Sequence, residues 1–340
     1  MTLLRVLFSF LRGLALVSAT LIIAGLPGIT AAQAQTPLLQ PRSANAVPSG
    51  TAMLGSDDKP LQIFRTRTDE VNVIFTVTDK HNKFIKDLKE SQFRVLDNNL
   101  PPQQIVSFEA ETNMPLRVGL LIDASNSIRD RFMFEQQAAA QFLKQIIRPN
   151  TDQAFVVGFD EVFNLTQDFT SDMGKLSRGI NVIRPAGGTA LWDAVYLACK
   201  DKLLKENEDG SNRTLRKALV VVSDGDDNQS RVTRQQAYDM AQRSGVIIYT
   251  ISTNLSNILD SGDRNLRMLA EATGGRAFFP AKLHDLNDAF HSISQELRSQ
   301  YSISYKPSDF RAGGQYRPIQ ITADNKHLRV RAKKGYYVQR

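Results

Sequence analysis

Three short stretches of the chain carry oxygen-bearing side chains at spacings that suit a metal ion: Asp123-Ala124-Ser125-Asn126-Ser127, Gly187-Gly188-Thr189 and Ser223-Asp224-Gly225. Together Asp123, Ser125, Ser127, Thr189 and Asp224 make a hard, all-oxygen donor set with two full negative charges. Such a set suits Mg²⁺ or Mn²⁺, which prefer octahedral oxygen and keep several waters. With few charges and no glutamate, the set under-neutralises the ion, so an acidic group on a partner could supply the missing ligand. Other chemistries drop out. The four histidines, His81, His284, His291 and His327, are scattered and form no HExxH pair. The single cysteine, Cys199, excludes an internal disulfide and a thiol-rich metal site. Neither a G-x-S-x-G elbow nor a nucleic-acid-reading motif is visible.

The elements around these stretches are those that place loops at the end of a sheet. Leu116–Ile122 is almost continuously apolar, the mark of a strand covered on both faces. A helix-period stretch with Phe132, Phe134, Ala138, Phe142 and Ile146 follows it. The alternation then repeats: strands are expected at Ala154–Phe159, Ala218–Val222, Val246–Ile251 and Ala277–Phe279, and helices at Leu176–Ile183, Ala190–Leu204, Gln235–Ser244, Asn265–Ala272 and Leu286–Ser299. This pattern predicts an α/β fold with a doubly wound, mostly parallel sheet, in which ligands bind beyond the carboxyl ends of strands.

On either side the period becomes two. Val71, Val73, Phe75 and Val77 alternate with Asn72, Ile74, Thr76 and Thr78, and Phe93–Leu96 and Gln104–Phe108 follow as short strands. After Gln300 the alternation returns in Tyr301, Ile303 and Tyr305, then Ile319–Ile321 and Leu328–Ala332. Each flank is small for an independent core, so the two are expected to pair into one antiparallel β-sandwich with the α/β domain inserted between them. At the N-terminus, Arg5 and Arg12 precede an apolar run from Leu14 to Ile29 and Ala32-Gln33-Ala34, the form of a signal peptide cut after Ala34. Without it the net charge falls from +7 to +5. The expected organisation is a leader over 1–34, a Pro/Ser/Ala/Gly-rich tether over 35–60, the first part of the sandwich over 61–112, the α/β domain over 113–300 and the rest of the sandwich over 301–340. No membrane span is expected after cleavage, and the product is exported, periplasmic or secreted.

Asp-x-Ser-x-Ser after an apolar first strand, Gly-Thr before a helix and Ser/Thr-Asp-Gly after a later strand resemble the metal-ion-dependent adhesion site, or MIDAS, of von Willebrand factor type A (VWA) domains. The resemblance spans roughly Pro115 to Gln300. Gly187-Gly188-Thr189-Ala190-Leu191-Trp192-Asp193-Ala194 and Leu297–Tyr305 are similar to the secreted bacterial VWFA-related proteins of the acidobacterial type. The resemblance implies that Ser125 and Ser127 bind the metal directly, Thr189 directly or through water, and Asp123 and Asp224 largely through water. It implies an adhesion-type module, not an enzyme, that captures a protein presenting an Asp or Glu carboxylate. A structural or assembly role in the cell envelope, with the metal only stabilising the loop, is the alternative. A Mg²⁺-dependent hydrolase of the haloacid-dehalogenase type is disfavoured, because Ser125 stands where its second aspartate would be.

Several residues also have plainer readings. Asp123 and Thr189 could cap turns and helices. Asp226 and Asp227 depart from the basic or polar residues often found there, and read as loop charges or as a rim set against acidic partners. Trp192 reads as a core anchor. Arg329, Arg331, Lys333 and Lys334 read as the solvated face of a half-buried strand.

Overall fold

Continuous apolar runs, here as expected, become strands covered from both sides. The computed structural model describes residues 70–110, 114–126, 132–204, 215–254, 259–282, 284–309 and 313–338, all within the unit Arg65–Arg340. The expected leader, the tether, residues 61–69 and Ser127 lie outside them. Among the described residues, one sheet has six strands in the order β6-β5-β4-β7-β8-β9. They are β4 (Leu116–Asp123), β5 (Gln153–Phe159), β6 (Phe163–Thr170), β7 (Arg216–Ser223), β8 (Ile247–Ser252) and β9 (Ala277–Phe278). All neighbours are parallel except β6, which runs antiparallel to β5.

Helices α1 (Phe132–Ile146), α2 (Met173–Asn181) and α6 (Asp285–Leu297) bury their apolar stripes against one face, meeting Val118, Leu120 and Ile122 of β4. On the other face α3 (Leu191–Leu197), α4 (Arg234–Ser244) and α5 (Ser261–Ala272) meet Leu121, Leu219 and Val221. Successive residues of β4 therefore serve two cores, which is why its sequence shows no polar alternation. Trp192 belongs to the second core, 7% exposed and edge-on to Tyr238. The helix expected over Ala190–Leu204 is α-helical only to Leu197 and continues as a π-helix over Ala198–Leu204. Cys199 lies buried in that turn, and burial pushes its thiol up to about 12, so it stays protonated and unreactive.

The sequence pattern passes over β6. Phe163, Leu165 and Phe169 alternate, but Gln167 interrupts them and the strand is a half-exposed edge, so its pattern is too polar to stand out.

The flanking segments form two antiparallel sheets around a third core. One has the order β12-β1-β10-β3, from β1 (Val71–Thr78), β3 (Gln104–Ala110), β10 (Gln300–Lys306) and β12 (Arg329–Ala332). The other is β13-β11-β2, from β2 (Phe93–Asp97), β11 (Tyr316–Ala323) and β13 (Gly335–Tyr337). The register sets Val73 opposite Ile303 and Phe75 opposite Tyr301, so each strand turns its apolar set inward to meet Val95, Ile319 and Ile321 of the second sheet. Phe75 and Tyr301 stack with ring centroids 5.4 Å apart. Among the described residues no helix is long and apolar enough to cross a membrane.

The basic stretch near the C-terminus is not uniformly solvated. Arg331 pairs with Glu296 at the end of α6 and donates to Thr76, and Lys333 Nζ donates to the Asn72 carbonyl at 3.0 Å. The polar face of β12 looks onto the α/β layer, leaving Arg329 and Lys334 exposed.

At the amino end of the parallel sheet, Asp152 is 1% exposed. It accepts from the Leu116 amide at 2.9 Å, from the Arg148 amide at 3.0 Å and from Arg148 Nε at 2.8 Å. Burial alone would raise this carboxyl, but the bonds from Arg148 and Leu116 hold it below the usual range. A carboxyl depressed in the fold stabilises it above the unfolded value of about 3.9, and that contribution disappears as pH falls through the folded value. Asp152→Asn is therefore expected to cost about 1–3 kcal/mol at neutral pH. Urea midpoints measured against pH should show the gap between variant and wild type closing below about pH 4.

Candidate metal centre

The chain leaves β4 toward α1 on one face and leaves β7 toward α4 on the other, although the two strands are neighbours. Diverging connections of this kind open a crevice at the carboxyl ends of the strands. Asp123 ends β4 and is fully buried, with 0% exposure. Its Oδ2 accepts from Ser223 Oγ, the last residue of β7, at 2.6 Å, and its Oδ1 accepts from the Ser125 amide at 2.8 Å. Ser223 Oγ in turn accepts from the Gly225 amide at 3.0 Å, so one hydroxyl joins both strand ends.

The Gly187–Thr189 loop comes to the same place. Ala186 N donates to the Ala124 carbonyl at 2.6 Å and Asn126 Nδ2 to that of Gly187 at 3.4 Å. On its other side the loop is held by the segment after β7: the Thr189 amide donates to Asn228 Oδ1, and the Asn228 and Gln229 amides both donate to the Thr189 carbonyl, each at 3.0 Å. Glu161, from the β5–β6 turn, accepts from the Gly188 amide at 3.0 Å.

The three stretches are thus brought together in space. Ser125 and Thr189 are 3% and 4% exposed, and Asp224 is half-buried. Gly225 has φ +82°, and a Cβ there would lie 2.2 Å from the Gly262 carbonyl, so only glycine allows this turn to press against α5.

Burial pushes the Asp123 carboxyl up to about 6, the charge of Asp224 adds to the rise, and hydrogen bonds from Ser223 and Ser125 oppose it. The groups acting on it most strongly include no cation. Asp226 is raised as well, by burial and then by Asp224 and Asp260. A crevice that holds carboxylates in this state, surrounded by hydroxyls and lacking sulfur or imidazole, fits a hard divalent cation. Among the described residues no group of three or more His, Cys, Asp or Glu side chains is placed to hold a metal ion by itself.

Ser223 stands in the third stretch, but residue type and spacing assign it no part in holding Asp123, and they do not single out Asn228 behind Thr189 or Glu161 behind Gly188. The signal of Asn228 and Glu161 is only that each lies in a loop following a strand. Asp227 is neither a free loop charge nor a rim element: its Oδ2 accepts from the Trp192 amide at 3.0 Å and from Ser230 Oγ at 2.5 Å, so it caps α3.

The model of the von Willebrand factor type A domain matches residues 118–292. Among solved structures, the chain is similar to a von Willebrand factor type A protein from Catenulispora acidiphila, at 11% identity and a TM-score of 0.46, covering 80% of this chain and 74% of that one. It is also similar to the vWF domain of the type V pili tip protein Mfa5 from Porphyromonas gingivalis, at 15% identity, TM-score 0.44, and 54% and 94% coverage. Proximal thread matrix protein 1 from the mussel byssus, solved with a zinc-occupied MIDAS motif, gives 17% identity, TM-score 0.45 and 59% coverage of this chain, which spans 49% of the mussel protein. No curated protein matches the sequence. With a family model that matches just over half of its length, the chain belongs to the von Willebrand factor type A domain family.

Proposed function

We propose that this chain is an exported protein-binding module whose loops after β4 and β7 and before α3 hold Mg²⁺ or Mn²⁺, so that an Asp or Glu of a protein partner completes the ion's shell. VWA domains are typically interaction modules in adhesion and protein binding, and a divalent cation at their strand ends is common. The observation that carries the reading is the convergence of three loops on the buried Asp123, held together by Ser223 and Asn228. In this reading Ser125, Ser127 and Thr189 offer hydroxyl oxygens, while Asp123 and Asp224 supply charge largely through water. The bound ion would attract and orient a partner carboxylate. The chain's own part is to keep the donors in place and to leave the charge incomplete, which favours an anionic ligand from outside.

The same reading treats residues 113–300 as a domain inserted into a sandwich made by 61–112 and 301–340, and the pairing of β1 with β10 supports it. Export is supported by the basic and then apolar leader pattern. No acid–base carboxylate stands two residues after Asp123, so catalysis is not part of the proposal.

The test is retention of a peptide library on the immobilised chain with Mg²⁺ and with EDTA. Peptides released by EDTA should share an Asp or Glu, and Thr189→Ala should lose them. Retention that ignores EDTA and the variant would overturn the reading. A rise in thermal stability with Mg²⁺ but no peptide retention would leave the metal with a purely structural role.

A further inference from the structure

At the opposite end of the parallel sheet from Asp123, under the first residues of β4 and β7, lies a cavity of about 280 Å³. Leu116, Ile146 and Leu297 form its apolar side. Its remaining lining is charged: Lys86, Arg148, Arg216 and Arg298, with Asp152 as the one carboxylate. These cations come from four separate places, the segment after β1, the turn after α1, the start of β7 and the end of α6.

The carboxylate is already engaged. Asp152 takes two side-chain bonds from Arg148, at 2.8 and 2.9 Å, besides the amides of Arg148 and Leu116. Arg216 bonds the carbonyls of Leu297 and Met114, and Arg298 that of Gln145. These carbonyl bonds anchor the guanidinium groups, two of them at helix carboxyl ends where cations are favoured. So engaged, Arg148 and Arg216 act as fixed positive charge, while at the opening Arg298 can offer a guanidinium N–H to a phosphate oxygen and Lys86 adds a mobile point charge. Arg298 and Lys86 are exposed, whereas Arg216 is 4% exposed, so cationic groups run from the opening into the interior.

We propose that this cavity binds a phosphate-bearing ligand, with its phosphate held by Lys86 and Arg298 in front of Arg148 and Arg216, and its organic part against Leu116, Ile146 and Leu297. The three apolar side chains favour a phosphate ester over the bare ion. Two sources share that chemistry, a soluble ester and a phospholipid headgroup. Either would tie the segment after β1 to the end of α6.

The experiment is a thermal-shift titration of the full chain with glycerol 3-phosphate and inorganic phosphate, at constant ionic strength against chloride. It is accompanied by flotation with vesicles of phosphatidylcholine alone or containing phosphatidic acid. A ligand that binds only the folded state raises the midpoint progressively with its concentration. Lys86→Gln and Arg298→Gln, at exposed positions that do not threaten the core, should each weaken the response about tenfold, as loss of a charged hydrogen bond does. Flotation with phosphatidic acid that both variants lose assigns the site to a lipid, and a response to glycerol 3-phosphate without flotation assigns it to a soluble ester. No rise in midpoint beyond that with chloride and no flotation, or responses that both variants retain unchanged, would overturn the proposal.

Discussion

Arg317→Ala should cost the fold about 3–5 kcal/mol, the loss expected when a buried ion pair loses one partner. Arg317 is 6% exposed and Asp97 1%. Arg317 Nε donates to Asp97 Oδ1 at 2.6 Å, and its Nη2 reaches Asp309 Oδ1, also at 2.6 Å. The other Asp97 oxygen accepts from the hydroxyls of Tyr305 and Tyr336, each at 2.9 Å. Burial, together with the Asp97 charge, pushes both tyrosines up, which keeps them protonated and donating. The cluster joins β2, β10, β11 and β13, and so ties the two sheets of the sandwich to each other. Removing the guanidinium leaves a carboxylate in the core held by the two tyrosine hydroxyls. A loss of this size lowers Tm by roughly 6–20 °C in a domain of this length, measurable by calorimetry. Arg94→Ala is the control. It breaks a pair whose side chains are 80% and 48% exposed, and should change stability by less than about 1 kcal/mol.

The second large effect is expected at the crevice. Asp123→Asn should weaken Mg²⁺ binding about 10–100-fold, the usual loss when a residue acting on a metal through its outer shell is changed. The amide keeps the size of the carboxylate and one carbonyl acceptor for the Ser125 amide, so the turn after β4 should persist. The metal-free chain should also be spared a buried charge, because burial already disfavours the ionised form of Asp123. Melting with and without EDTA therefore separates the two roles. The wild type should gain thermal stability with Mg²⁺, and the variant should gain little at the same concentration. Equal gains would exclude Asp123 from the site.

How much of this is legible in the sequence depends on the range of each interaction. Strands β4 and β7 can be read because burial on both faces demands a nearly continuous apolar run, as in Leu116–Ile122 and Ala218–Val222. Strand β6 cannot, since it is an edge strand with no fully buried side chain. The three oxygen-rich stretches stand out because each is local, a few residues at a strand end or helix start. What joins them is not local: Ser223 lies 100 residues from Asp123, and Asn228 lies 39 from Thr189. The same holds for Asp97 and Arg317, 220 residues apart with no periodic pattern between them. It holds too for Arg331, whose partner Glu296 turns a seemingly solvated strand face into a contact between layers. Residue type and spacing identify the atoms that touch a ligand, whereas the groups that hold those atoms in place depend on the packing of distant segments.

The most direct test of the metal site is a calorimetric titration of the EDTA-stripped wild-type chain with Mg²⁺ and with Mn²⁺. Saturable binding of one ion per chain, strongly weakened in Asp123→Asn, is the predicted result. No binding of either ion at millimolar concentration, in a chain that remains folded, would contradict it and move the search for a binding surface to the sandwich.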